Sequence, residues 1–462
     1  MQASEISRNI GGRVGEAAVR YDRAAVYRLR VRCLVPMHCG SGSGEAGEVM
    51  FHPVEKKPFI QASGIAGALR DYVFHQDEER AKELFGWAGE EDGGMKSRVF
   101  VTDGEFAPSS VNIECRPRVK INPETGSCHV QRVKGREVDS GQKFEVEVVS
   151  AGAEFSFSLY LYQQGKGLEV PLEQALAALH RGQIWLGGQK SNGCGLVELV
   201  SAEKAVYDLR SPKDRELWLE EEKEGEEILP ALCQMEEPEG SYICLRLTGK
   251  TQGNILVKAS FAPGWGKDSP DFVNLKNYQG ESILPGSSIK GVLRSQAEKI
   301  GAYLNLEKEV TEEIFGTALG DGREGRPGKA RFYDSIIGGK TENDRASSQY
   351  RIHVDKFTGG VMYGSLFSEK PAYGNVELCI EAEESCRMGI ALLLLALRDV
   401  GLGILPLGSE GSIGRGYLEG DRLTLEKDGD ILAEIDFHNG EIRKGRDKLE
   451  GYLKALQAEK DR

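Results

Sequence analysis

The stretch that decides the fold is "ILPGSSIKGVLRSQ", Ile283 to Gln296. Pro285 and Gly286 stop a short apolar strand; two serines, a lysine, a second glycine and an arginine follow. This reads as a helix start that faces an anion. Ser287 or Ser288 caps it, Gly291 lets it pack closely, Lys290 charges the first turn and Arg294 lies at i+4. Alone it would be an ordinary capped helix with surface bases. The chain holds a second copy, "ASGIAGALRDYV", Ala62 to Val73, with Ser63 and Arg70 at matching places. Ala66 stands there in place of Lys290, so the two anion sites are unequal.

Three further landmarks repeat in the same order. Phe85-Gly86 matches Phe315-Gly316, and "RVFVTD" to Asp103 matches "ARFYD" to Asp334. "LGGQKSNGCGLVEL" (Leu186 to Leu199) aligns without gaps to "LGSEGSIGRGYLEG" (Leu407 to Gly420). Each copy opens on an alternating strand, "YRLRVRCLV" or "YICLRLTGK". The capped helix, a strand, a polar hairpin, another strand, an amphipathic helix and a last strand follow. The pattern predicts an α+β protein of two tandem ferredoxin-like units with hairpin insertions. The expected boundaries are an N-terminal extension at 1–26, a first unit at 27–205, an acidic linker at 206–239, a second unit at 240–425, and a C-terminal hairpin and helix at 426–462.

Composition narrows the class. No run of ~18 apolar residues and no signal peptide core occurs in the 462 residues, so a cytoplasmic protein is expected. Nine cysteines form no C-x-x-C pair, which indicates neither a disulfide framework nor a zinc site. The net charge of -13 argues against a protein that coats nucleic acid over its whole surface. Yet the segment from Asp208 to Glu239 alone holds 12 Asp/Glu against 4 Lys/Arg, while Arg116 to Lys143 holds 7 Lys/Arg against 3 Asp/Glu. A local basic surface on an acidic protein follows. The Gly-rich turns offer free N–H groups, and Lys190 and Arg415 place charge beside them, Lys190 next to Ser191. Neither turn is a Walker loop, because no G-K-[ST] opens a helix after it.

The tandem units, the "PGSSIKGVLR" helix start and the paired Gly-rich turns resemble the RAMP superfamily, in particular the backbone subunits of type III CRISPR effector complexes. The resemblance spans both repeats and leaves out the linker and the termini. It implies an RRM-derived sheet in each unit, with a protruding β-hairpin thumb that kinks a guide–target duplex. "RPRVKINPETGSCHVQRVKGREV" (Arg116 to Val138) matches a thumb and brings Arg118, Lys120, Arg132 and Lys134. "RIHVDKFTGGVMYGSLFSEKPAYG" (Arg351 to Gly374) is its counterpart, with Met362 and Tyr363 as apolar wedges. The implied partners are CRISPR RNA, target RNA, and neighbouring backbone and large subunits, with no membrane.

The resemblance also implies that an Asp in the loop after a unit's first strand cleaves target RNA with Mg²⁺ or another divalent cation, bound only along with the RNA. In the second unit Asp268 and Asp271 are the candidates: "DSP" favours Asp268, and counting back from Pro285 favours Asp271. The first unit's loop contains no Asp, so that unit is expected to be silent or weak in cleavage. Two other functions are weighed beside this one. A scaffold would bind identically without cutting. A CRISPR RNA-processing endoribonuclease would need a general acid/base, for which His38 and His52 are available.

Overall fold

The computed structural model describes residues 21–40, 47–89, 94–119, 121–122, 130–133, 136–141, 143–165, 167–220, 223–236, 242–259, 269–317 and 325–460. Lys120, Lys134 and Asp268 lie outside the described residues.

The first unit is built on β1 (Arg23–Cys33), where Tyr27, Leu29, Val31 and Cys33 are buried while Arg30 and Arg32 are exposed, the alternation that the sequence predicts. Next come α1 (Ala62–Gln76), β2 (Val99–Val101), β3 (Gly104–Phe106), the hairpin strands β4 (Ile113–Val119) and β5 (Lys143–Val149), β6 (Glu154–Gln163), α2 (Glu169–His180) and β7 (Val197–Asp208). The antiparallel sheet runs β7–β1–β6, with β2 and β3 both on the far side of β6. Fourth, first, third, second is the ferredoxin-like strand order. Helix α1 buries Ile65, Leu69 and Val73, four residues apart, against this sheet's core.

A helix, α3 (Pro212–Glu220), separates this unit from the next. The second unit repeats the arrangement with β8 (Tyr242–Thr251), α4 (Gly286–Leu304), β9 (Ala330–Phe332), β10 (Gln349–Arg351), β11 (Phe367–Lys370), β12 (Asn375–Glu383), α5 (Arg387–Gly401) and β13 (Leu418–Lys427). Its sheet runs β13–β8–β12–β9, and β10 pairs with β11 at the foot of the second hairpin. Even a β-bulge repeats. The register of β1 on β7 shifts between Arg30 and Val31, and that of β8 on β13 between Thr248 and Gly249. The Gly-rich turns have a backbone reason too. Gly195 and Gly416 have φ of 100° and 80°, and a Cβ would stand 2.0 Å and 1.9 Å from the carbonyls of Leu186 and Leu407.

Three expectations change. The segment 206–239 is more than a linker: α3 lays Trp218 edge-on against Tyr160, Tyr162 and Tyr207 of the first sheet, and Leu232 enters its core. Its many acids mask a sparse apolar stripe. The C-terminal segment belongs to the second unit. There β14 (Asp430–Asp436) and β15 (Glu441–Lys444) extend the sheet beyond β13, while α6 (Arg446–Lys460) adds Leu449, Tyr452 and Leu456 to the core. That covering explains why α5 buries residues all round its axis. Finally, neither Ser287 nor Ser288 caps α4. The N-cap is Pro285, and Asp334 Oδ1 accepts the Gly286 N–H at 2.9 Å. Asp103 Oδ1 does the same for Ala62 N–H at 2.7 Å in the first unit. The aspartates that end the repeated short strands are the caps.

Candidate nucleic-acid interface

The two units meet along a seam of backbone and charge. The first unit presents β4 and the turn Gln189–Gly193; the second offers the start of α4, β9 and Asp334. The contact is tight. A Cβ on Gly193 would stand 2.3 Å from the Phe332 carbonyl, and one on Gly286 would stand 3.0 Å from the Asn192 carbonyl. Arg116 on β4 reaches Asp334 Oδ2 with Nη1, while its Nη2 donates to Glu114 Oε2 at 2.7 Å. Glu114 Oε1 in turn accepts Tyr278 N–H at 3.0 Å. Trp185 meets Tyr333 edge-on, with the Arg331 guanidinium 4.5 Å from the Trp185 ring.

Arg116 is fully compensated, but among the described residues the cations beside it have no carboxylate partner. Lys290 Nζ donates to the neutral Ser191 Oγ at 2.9 Å. Arg118 Nη1 donates to the neutral Gln189 Oε1 at 2.7 Å, and its buried Nε has no partner among the described residues. Burial, then the charges of Arg294 and Arg118, push the Lys290 ammonium down to about 8. Burial also lowers Arg118. Two desolvated cations held by neutral acceptors form a place where an anion would be stabilised. Lys190 is exposed at the edge of the same turn. Arg294 is engaged by Glu298 and by the Gly316 carbonyl, and it adds only its field. The Phe-Gly landmark itself follows from the backbone, since Gly86 and Gly316 have φ of 73° and 82° and a Cβ would stand 2.3 Å and 2.6 Å from a backbone carbonyl. The helix start itself is less open than expected, because Asp334 already holds its first N–H.

The hairpin registers show how the units diverge. Val149 bridges Met37 as Ala372 bridges Ile255. Counting back, Val146 matches Glu369, Arg116 matches Gln349 and Arg118 matches Arg351. Gln189 matches Glu410, and both have left-handed backbones, with φ of 61° and 66°. In the second unit the cations at this place are held in ion pairs. Arg351 donates to Glu410 at 2.8 Å and to Glu369 at 3.1 Å. Arg415, expected to meet phosphate, is buried instead, its side chain 6% exposed and paired with Glu369 and Glu410, each within 2.8 Å. Glu369 is wholly buried. Burial alone would raise its carboxyl, but Arg351, Arg415 and Lys258 hold it below the usual range. In the first unit Val146 and Cys194 fill the positions of Glu369 and Arg415 and pack with Val148.

Other expected residues lie apart from the seam. Ser63 and Arg70 are exposed on α1. Arg132 sits on the strand Val130–Val133, which pairs with Arg136–Gly141 in the first hairpin. Met362 and Tyr363 are exposed in the second hairpin, away from the core. Asp271 is exposed beside β11. Its Oδ2 accepts Ser368 N–H at 2.7 Å and the Ser368 hydroxyl at 3.0 Å, which holds the carboxyl below its usual range. Among the described residues no group of three His, Cys, Asp or Glu could hold a metal ion. Asp271 is the candidate carboxylate among the described residues, and no metal step is derived. His38 is buried with Nδ1 on the Glu147 carbonyl at 2.9 Å, and His52 Nδ1 accepts Glu55 N–H at 3.1 Å. Sequence reasoning missed Gln189 and the roles of Arg116, Asp103 and Asp334. The repeated terminal aspartates were the available signal for the last two.

The RAMP superfamily model matches residues 30–198 and 266–419, well over half of the chain and one stretch in each unit. The chain belongs to the RAMP superfamily. No curated protein matches it. Among solved structures it is similar to a chain of "Cryo-EM structure of the Type III-B Cmr-beta bound to cognate target RNA", at 20% identity, covering 44% of this chain and 68% of that one, with a TM-score of 0.29. No helix among the described residues is long and apolar enough to cross a membrane.

Two stability outcomes follow. Asp103→Ala loses a helix cap, about 0.5–2 kcal/mol. Asp334→Ala also strips a buried arginine of one partner, a class of loss on the order of 3–5 kcal/mol that Glu114 reduces here. Thermal unfolding should therefore show the larger fall for Asp334→Ala. Likewise Glu369→Val alone leaves Lys258, Arg351 and Arg415 around the single carboxylate of Glu410. Adding Arg415→Cys removes one of those cations and adopts the first unit's apolar solution, so the double variant's melting temperature should exceed that of Glu369→Val.

Proposed function

We propose that this protein is a CRISPR RNA-binding backbone subunit of a type III effector complex, and that its inter-unit seam holds a phosphate of the RNA backbone. The observation that carries the reading is the half-buried pair Arg118 and Lys290, which among the described residues meet neutral acceptors and no carboxylate. Superfamily membership supports the class of partner. Contact through phosphate suits a subunit that must accept any guide sequence. The exposed Met362 and Tyr363 in the second hairpin suit a wedge against stacked bases. Target RNA and the neighbouring backbone and large subunits complete the proposed partners. A processing endoribonuclease is less well supported, since His38 is enclosed and both His38 and His52 are tied to local backbone.

Within this reading Asp271 is the described carboxylate of the second unit proposed to stand at a scissile phosphate of target RNA. Ser368 holds it ionised and oriented, and its Oδ1 accepts no hydrogen bond among the described residues.

Binding should depend on pH through Lys290. Below about pH 7 the free and bound forms both keep the ammonium protonated. A bound phosphate raises its value above 8, so at higher pH binding must take up a proton. Affinity for a guide-length RNA should fall as pH rises through 8 toward 9, approaching about tenfold per pH unit. Lys290→Arg should bind at pH 7 and lose this dependence. Replacing Lys290 and Arg118 with Ala should weaken all guide sequences alike and reduce the salt slope by roughly one unit per lost phosphate contact. Filter binding across pH and salt checks both; sequence-selective loss contradicts phosphate readout.

For cleavage, Asp271→Ala in the assembled complex should slow one cut in end-labelled target RNA by about a hundredfold or more. Assembly should be unchanged, because the carboxylate is exposed. A band lost only in Asp268→Ala assigns the cut to that residue instead, and persistence of every band in both variants favours the scaffold reading.

A further inference from the structure

The units meet through unlike faces. The first presents its Gly-rich turn and β4; the second receives them with α4, β9 and Asp334. Because the chain is a repeat, each unit also owns the other kind of face. The first unit keeps a receiving face that its partner unit does not use, and the second keeps a presenting face. We infer that these two end faces do not match each other, so the chain does not extend by stacking on its own copies, and that Asp103 receives an arginine from a strand of a different protein chain. This deepens the partner claim of the proposed function; it rests on the internal seam and needs no bound RNA.

The seam is the template. Asp334 uses one oxygen to cap α4 and the other to hold Arg116. Asp103 caps α1 in the same way, is exposed, and pairs with no cation among the described residues. Its free side is the place where Asp334 holds a guanidinium. The chain's own presenting face cannot supply one. Gln349 stands where Arg116 stands, and it is already tied to Arg415 at 2.9 Å and to the Tyr373 hydroxyl at 3.1 Å. The second polar link of the seam is lost as well, since Ser412 would face Ala66 where Ser191 meets Lys290. The rest of the second presenting face also differs. Ile413 and Ile404 are exposed where the first unit has Asn192 and Gln183. Gly414 keeps a positive φ of 90° with open space around it, whereas its counterpart Gly193 is pressed on Phe332.

The occupant of the first unit's receiving face is therefore a chain that carries an arginine on an extended strand beside a tight glycine turn. A second copy of this chain lacks that arginine. An aspartate facing a neutral glutamine forfeits the charge-assisted bond and leaves a desolvated carboxylate, the kind of mismatch that selects between partners.

Sedimentation velocity on the full RNA-free chain is the first test. The wild type should sediment as a monomer up to its highest soluble concentration. The double variant Ala66→Lys/Gln349→Arg, which restores both links at the two ends, should show a sedimentation coefficient that rises with concentration. Adding Asp103→Asn should return it to monomer. A wild type that self-associates overturns the inference, as does a double variant that keeps its melting temperature and stays monomeric. The second test uses Thr102→Cys, on an exposed residue beside Asp103. Maleimide labelling at that position, read by peptide mass spectrometry, should be lost when the chain is purified within its complex. Equal labelling in the free chain and the complex overturns the assignment. If only the RNA reading were wrong, the sedimentation results would stand while RNA binding failed.

Discussion

One carboxylate ties the molecule together. Asp334 caps the first N–H of α4 with Oδ1 and holds Arg116 of the other unit with Oδ2. A local task and a long-range task thus share one side chain. The cap fixes where the helix begins, and the arginine fixes where that beginning lies against the first unit's turn. Lys290, one turn in, is thereby set against Ser191. Arg116 takes up Asp334 and Glu114 as its direct partners, so Arg118 and Lys290 are the seam cations without a carboxylate of their own among the described residues; the five charges sum to +1, and that remainder is what the proposed RNA contact uses.

Duplication gave two copies of one scaffold, and small changes gave them different electrostatics. The space beneath each hairpin is filled by Val146 and Cys194 in one unit and by Glu369 and Arg415 in the other. The ionic version draws Arg351 and Lys258 into the same network and spends their charge internally. The apolar version leaves Arg118 a neutral glutamine as its hydrogen-bond acceptor among the described residues. A buried ion pair is seldom more stable than a well-packed apolar pair of similar volume. Its consequence here is therefore read in the charge each unit shows to a ligand.

The repeat made the fold legible. Alternating strands, two amphipathic helices per unit and four ordered landmarks were enough for strand order and hairpin position. Less local facts were hidden. Arg116 and Asp334 are 218 residues apart in the chain, and no spacing rule joins them. Ser287 and Ser288 have the right chemistry for a cap, but the chain brings an aspartate from β9's end to the same N–H. Arg415 looked like a free cation in a glycine turn, and only the fold shows two carboxylates beneath it. The acidic segment concealed Trp218 behind its charge count. Gln189 carried no signal at all, since a left-handed glutamine cannot be told from an ordinary one by composition.

Photo-crosslinking of a guide-length RNA carrying a reactive backbone group, followed by peptide mass spectrometry of the intact chain, asks directly where the phosphates lie. Crosslinks concentrated in the turn Gln189–Gly193, the foot of the first hairpin around Arg118, and the first turn of α4 around Lys290 are the predicted result. Crosslinks confined to α3 or to the outer strands β14 and β15, with the seam unmarked, would contradict the account.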